Sequence, residues 1–210
     1  MSTLEDDGYL VKRPSRRKLA LTTVPGQDGR VRHALLEELF GSQTILDGVI
    51  HVVANGFDHI WPVTADAVAA GVTPFDRPTL IARNRAQEVR AFDDICSRIQ
   101  GKHYMTPNAA PKWLLVIVNK VDLYWSEIEA ARNRYYIHGD SDFSSIAREL
   151  LQRVGTNRLQ YRMLPVSTGA ADYLFDSARG RINASSELNT AQAGASIEAL
   201  METLEELTNV

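Results

Sequence analysis

The chain has 210 residues, of which 44% are hydrophobic and 23% charged, and this composition is typical of a globular protein. Its 23 Lys and Arg against 26 Asp and Glu leave a net charge of −3, which gives no support to a nucleic-acid-binding surface. One cysteine, Cys96, excludes an internal disulfide and a cysteine metal cluster. Because no apolar run is long enough to span a membrane and the start MSTLEDDGYL is unlike a signal peptide, we expect a cytoplasmic protein.

Four apolar runs alternate with segments of helical periodicity along the chain. The runs are 18–24 (KLALTTV), 48–55 (GVIHVVAN), 112–125 (KWLLVIVNKVDLYW) and 159–168 (LQYRMLPVST), and a short segment at 8–13 (GYLVKR) could pair with the first of them as a hairpin. Helices are predicted at 30–40, 82–99, 144–154 and 196–208. The alternation predicts an α/β fold, with a mainly parallel central sheet flanked by helices in a single domain over residues 1–210.

Two segments lack such periodicity. Residues 57–78 form a long stretch with several prolines, which predicts a loop that contacts a partner or serves a function. Residues 172–195 are rich in Ala, Ser and Asn, which predicts a flexible surface loop.

Polar residues follow three of the runs, at the positions where ligands collect beyond the carboxyl ends of parallel strands. These residues are Thr23-Val24-Pro25-Gly26-Gln27 after the first run, Asn119-Lys120-Val121-Asp122 in the third, and Ser167-Thr168-Gly169 after the fourth. The third-run segment has two interpretations. It is either an edge that recognises a nucleotide base or an ordinary strand end with solvated polar residues.

In this order the three segments resemble motifs of the GTPase (G-domain) family of P-loop proteins. Asn119-Lys120-Val121-Asp122 is similar to the NKxD guanine-specificity motif, Ser167-Thr168-Gly169 to the looser base-binding loop, and the segment from Thr23 to Gln27 to the DxxGQ stretch that senses the γ-phosphate. The resemblance implies GTP or GDP as the ligand and Gln27 as the catalytic residue that positions water. It also implies a set of nucleotide-binding residues: Gly26, Asn119, Lys120, Asp122, Ser167, Thr168 and Gly169.

The residue types suit guanine. A carboxylate at Asp122 can accept hydrogen bonds from the ring N–H and the exocyclic amine of guanine, a pair of donors that adenine lacks. The stem of Lys120 can lie on the base while its ammonium group stays in water. Asn119 can tie the loop to its neighbours.

Two features depart from the family. The sequence contains no G-x-x-x-x-G-K-[ST] motif, so the first strand, the P-loop and the first helix are expected to be missing. Losing three or four charge-assisted bonds to phosphate removes about 5 kcal/mol or more, or roughly three decades of affinity. Thr23 replaces the aspartate that holds Mg²⁺, so no metal ligand is assigned and a Mg²⁺ requirement is not expected. Guanine nucleotides should bind weakly, and hydrolysis should be near the uncatalysed rate.

Two hypotheses follow. The chain is either a GTP-binding and possibly hydrolysing protein that is incomplete at its N-terminus, or a pseudo-GTPase that works as a protein-interaction or scaffold module. In either case apolar surface left uncovered by the missing elements predicts a protein partner or self-association, with no role for nucleic acid or membrane.

Overall fold

A computed structural model gives the fold of two compact units, residues 1–44 and 45–210. It describes residues 8–12, 18–22, 24, 30–41, 43–57, 77–167, 169, 173–177 and 180–209. The single-domain organisation stays a prediction. The proposed partner loop at 57–78 falls mostly outside the described residues.

The first unit contains a hairpin and a helix. Strand β1 (Gly8–Lys12) pairs antiparallel with β2 (Lys18–Thr22), and helix α1 (Arg30–Phe40) follows. The hairpin is as predicted. The expectation that the first run joins the parallel sheet is wrong for the described residues, because β2 pairs with β1 in a sheet of two strands. Five residues connect β1 to β2, and such a short connection permits antiparallel pairing only.

The second unit is built on a sheet of three parallel strands. These are β3 (Gly48–Val53), β4 (Trp113–Val118) and β5 (Gln160–Pro165), in the order β3-β4-β5. The last residues of the three strands, Val53, Val118 and Pro165, are aligned by the pairing register. The predicted α/β class with a parallel sheet is therefore confirmed. Every residue of the central strand β4 is buried, which explains its uninterrupted apolar sequence.

Among the described residues of this unit there are four helices: α2 (Arg77–Met105), α3 (Ile128–Tyr135), α4 (Asp142–Val154) and α5 (Thr190–Thr208). Short 3-10 turns lie at Pro107–Ala109, Val121–Leu123 and Trp125–Glu127. Helix α2 is longer than the predicted 82–99. It starts with a proline in its first turn, where the missing N–H costs nothing, and ends just before Thr106-Pro107.

The helices cover both faces of the sheet. Side chains alternate along β4, so Trp113, Leu115 and Ile117 face α5, where they form a core cluster with Leu207. On the other side Phe92 of α2 stacks on Phe143 of α4, and the ring of His51 from β3 packs against both. None of the described helices combines the length and the apolarity needed to cross a bilayer.

The predicted flexible surface loop over 172–195 contains strands and the start of a helix where the structure describes it. Strands β6 (Tyr173–Ser177) and β7 (Gly180–Ala184) pair antiparallel, with Phe175 opposite Ile182. Aromatic and β-branched residues favour this pairing despite the many small polar residues around them. Helix α5 begins at Thr190, because the side chains of Asn189 and Gln192 form a reciprocal capping box.

Candidate functional site

The carboxyl ends of β4 and β5 bring Asp122 and Ser167 together. Asp122 lies on the 3-10 turn after β4 and is 5% exposed, and Ser167, two residues after β5, is fully buried. The Oγ of Ser167 donates a hydrogen bond of 2.8 Å to Oδ1 of Asp122. Their predicted proximity is therefore confirmed. Among the described residues Ser167 is the sole donor to this carboxylate, and its bond is to Oδ1.

Ser167 is itself held by neighbours. Its Oγ lies 2.9 Å from the carbonyl oxygen of Gly169, but a hydroxyl has one proton and the charged carboxylate is the stronger acceptor. The backbone N–H of Ser167 donates to Oγ of Ser196 at 3.0 Å, and the hydroxyl of Ser196 points back to the carbonyl of Ser167 at 2.9 Å. Sequence reasoning missed Ser196, which is 29 positions from Ser167 on α5.

Lys120 has a left-handed backbone conformation, with φ 57° and ψ 31°. The side-chain oxygen of Asn119 accepts a hydrogen bond of 2.8 Å from the Lys120 N–H within the same loop, so the expectation that Asn119 ties this loop to its neighbours stays a prediction. The Nζ of Lys120 donates to the carbonyl oxygen of Phe57 at 2.6 Å. This bond uses one of the three N–H donors of the ammonium group, and Lys120 is half-buried.

Two buried aromatic rings lie beneath this edge. Phe57 and Tyr124 stack with their ring centroids 5.2 Å apart at an angle of 26°. The hydroxyl of Tyr124 donates to the carbonyl oxygen of Asn119 at 2.7 Å. The stacked pair therefore holds the loop after β3 against the loop after β4. The contact of Tyr124 with Phe57 was not predicted from the sequence.

The loop after β3 is fixed by a buried carboxylate of α2. Asn55 and Gly56 both have positive φ, 52° and 81°, so the chain turns sharply after the strand. Oε1 of Glu88 accepts hydrogen bonds of 2.9 Å from the N–H groups of both Ala54 and Gly56. The hydroxyl of Tyr135 donates to Oε2 of the same carboxylate. Burial, and then the adjacent Glu88 charge, raise the pKa of Tyr135 well above its ordinary value.

Further side chains brace the same loop. Nδ2 of Asn84 donates to the carbonyl oxygen of Gly56 at 2.9 Å. Oδ1 of Asn55 accepts two hydrogen bonds from guanidinium groups, one from Arg85 at 3.1 Å and one from Arg134 at 2.6 Å. Burial and the like charge of Arg134 lower the pKa of Arg85. This network holds the loop that presents the Phe57 carbonyl to Lys120.

Several predicted site residues cannot be placed beside this edge. Thr23, Gly26, Gln27 and Thr168 lie outside the described residues, so the segment thought to sense the γ-phosphate stays a prediction. Gly169, by contrast, is described and exposed, and its carbonyl oxygen lies 2.9 Å from the Oγ of Ser167. The described residues contain no group of three or more His, Cys, Asp or Glu side chains that could hold a metal ion.

No protein-family model, no curated protein and no solved structure matches this chain.

Proposed function

We propose that the edge formed by Asn119, Lys120, Asp122 and Ser167 binds the base of a guanine nucleotide, so that the chain is a GTPase-like binding protein. The observation that carries this proposal is the pair of Asp122 and Ser167. A buried carboxylate, oriented through one oxygen and lacking a described donor at the other, suits a ligand with two adjacent N–H donors.

Guanine presents such donors at its ring nitrogen and its exocyclic amine. Adenine has an acceptor at the corresponding ring position, so its binding would leave the carboxylate of Asp122 without its donors. A buried charged group left without its hydrogen bonds costs about 1.5–3 kcal/mol, or at least about tenfold in affinity. The stem of Lys120, held at its far end by the Phe57 carbonyl, supplies an apolar surface for one face of the base.

The proposal covers recognition of the base and not turnover of the phosphates. Hydrolysis would depend on Gln27, which is not described, and on a phosphate-binding motif that the sequence does not contain. Thr23, in place of an aspartate, favours the second candidate, a pseudo-GTPase that binds nucleotide weakly and acts through a protein partner. Both candidates share the same base-binding edge.

Calorimetric titration of the purified chain with GMP, GDP, GTP and ADP, with and without Mg²⁺, tests the proposal. The three guanine nucleotides should bind with similar micromolar to millimolar affinity, and ADP should bind at least about tenfold more weakly. Equal affinities for GDP and ADP would contradict the base-binding edge. Tight binding of GTP that requires Mg²⁺ would instead reveal a phosphate site and favour a hydrolase.

A substitution at Asp122 makes the test specific. Asp122→Asn should lose affinity for GDP and gain affinity for xanthosine diphosphate, because xanthine has a carbonyl where guanine has the amine and an amide can donate to it. Asp140→Asn is the matched control, since Asp140 is an exposed carboxylate outside this edge. It should leave both affinities unchanged.

A further inference from the structure

Helix α5 reaches the candidate site through one hydroxyl. Oγ of Ser196 accepts a hydrogen bond from the N–H of Ser167 and lies within donating distance of the carbonyl oxygens of Ser167 and Ala193, at 2.9 and 2.8 Å. Ser196 therefore fixes the backbone of the residue that orients the Asp122 carboxylate. Ser196 is half-buried and does not itself contact Asp122.

The connector between β7 and α5 reaches the same carboxylate-bearing turn. The backbone N–H of Glu187 donates to the carbonyl oxygen of Asp122 at 2.6 Å. The side chain of Glu187 accepts from the N–H of Ser126 at 2.6 Å and from its hydroxyl at 3.2 Å. Asp122 is thus held from both directions, at its backbone by Glu187 and at its carboxylate through Ser167.

We propose that Ser196 and Glu187 are positioning residues that set the selectivity of this edge for guanine over adenine. The inference rests on the proposed function and adds to it the part of the chain that controls specificity. Neither residue contacts the base. They act by holding Asp122 and Ser167 in one geometry.

The physical reason lies in the geometry that discrimination requires. Two hydrogen bonds to guanine form together only if the carboxylate plane has one orientation, since hydrogen bonds weaken steeply when they bend. If the Ser167 backbone loosens, the carboxylate can rotate and guanine loses part of its advantage. Adenine, which does not form this pair of bonds, loses little. The ratio of the two affinities should therefore fall, rather than both affinities falling equally.

The experiment compares the ratio of ADP to GDP dissociation constants in the full chain and its variants. Ser196→Ala should lower this ratio about fivefold, the effect of one lost hydrogen bond. Ser196→Thr keeps the hydroxyl and should restore the ratio. Thr203→Ala is the matched control, because among the described residues the Thr203 hydroxyl bonds only to the carbonyl of Ala199 within α5, at 2.8 Å.

Comparing the midpoint of thermal unfolding with the nucleotide selectivity distinguishes a positioning role of Ser196 from an effect on stability alone. Ser196→Ala should lower the midpoint more than Thr203→Ala does, because it removes the bonds to Ser167 as well as one bond within the helix, and it alone should change selectivity. Glu187→Ala keeps the N–H that bonds to Asp122 but removes the side-chain bonds to Ser126 that hold this connector, so it should also lower the ratio, whereas Glu198→Ala, at an exposed position, should not. A wild-type ratio of one would refute the proposed function. A wild-type preference for GDP that Ser196→Ala and Glu187→Ala leave intact would refute only the positioning role.

Discussion

The Nζ of Lys120 and the carbonyl oxygen of Phe57 lie 2.6 Å apart, and this hydrogen bond joins the loop after β4 to the loop after β3. The two residues are 63 positions apart in the sequence. Because the ammonium group is held at its far end, the stem of Lys120 has lost much of its rotamer freedom before any ligand binds. Such preorganisation reduces the entropy that a ligand must overcome.

Two substitutions at Lys120 distinguish the contribution of its side chain to GDP binding from the contribution of its backbone conformation to stability. Lys120→Ala and Lys120→Gly both remove the stem and the ammonium group, so both should weaken GDP binding to the same extent. They should differ in stability, because a left-handed conformation costs an alanine about 1 kcal/mol and a glycine almost nothing. Denaturant unfolding should therefore find the glycine variant more stable than the alanine variant.

Lys112→Ala is the control for this pair, since Lys112 is exposed and directly precedes β4 at the opposite end of the strand. It should affect neither binding nor stability. If Lys120→Gly bound GDP as well as the wild type does, the stem could not be in contact with the base.

The alkaline stability of the chain should depend on Tyr135. At neutral pH, Tyr135→Phe should cost about 1.5–3 kcal/mol, because it removes a hydrogen bond to the Glu88 carboxylate. The folded state holds the phenol proton more tightly than the unfolded state, whose pKa is near 10.0. The advantage of the wild type is therefore complete below pH 10 and declines above it, by up to about 1.4 kcal/mol per pH unit.

Urea unfolding of the wild type and Tyr135→Phe at several pH values from 8 to about 11.5 measures this difference. Burial also raises the pKa of Cys96 and of Tyr161, but both groups are present in both proteins and cancel in the comparison. If the difference in free energy of unfolding between the two proteins stays constant to the highest pH, Tyr135 ionises equally in the folded and the unfolded state.

The apolar runs and their polar ends were enough to predict the parallel sheet and the meeting of Asp122 with Ser167. Both follow from local information, since a strand buried on both faces has an apolar sequence and the carboxyl ends of parallel strands lie at the same edge of the sheet. The supports of that edge could not be predicted in the same way. Ser196 and Glu187 reach it through long-range contacts whose partners depend on how α5 packs on the sheet.

The buried network after β3 left only a weak signal in the sequence. Asn84 and Glu88 lie on the same stripe of α2 as Phe92, so two polar side chains continue an apolar face. A polar residue at such a position indicates a buried hydrogen bond but does not identify its partner. The hairpin of β6 and β7 was missed because small polar residues outweighed its few strand-forming residues in the composition.

Exposed apolar side chains on the second unit predict self-association. Val52 of β3 is 55% exposed and Ile45, just before that strand, is 74% exposed, and β3 has β4 as its sole partner among the described strands. An apolar edge strand is a template for pairing. Sedimentation velocity should show a mass that rises with concentration, and Val52→Lys should reduce the rise. Met201→Lys on α5 is the control, and a monomer at all concentrations would contradict the prediction.

The last prediction concerns the turn that presents Phe57 to Lys120. At Gly56, φ is 81° and an added Cβ would lie 2.5 Å from the carbonyl oxygen of Ile81, so the backbone would have to move. Gly56→Ala should therefore destabilise the fold by about 2 kcal/mol or more, through strain and the loss of bonds to Glu88. Gly101→Ala is the matched control, because that site within α2 has open space and alanine should stabilise the helix by about 0.5–1 kcal/mol. Denaturant unfolding gives both values, and destabilisation of equal size at the two sites would show that the turn after β3 is not held as described.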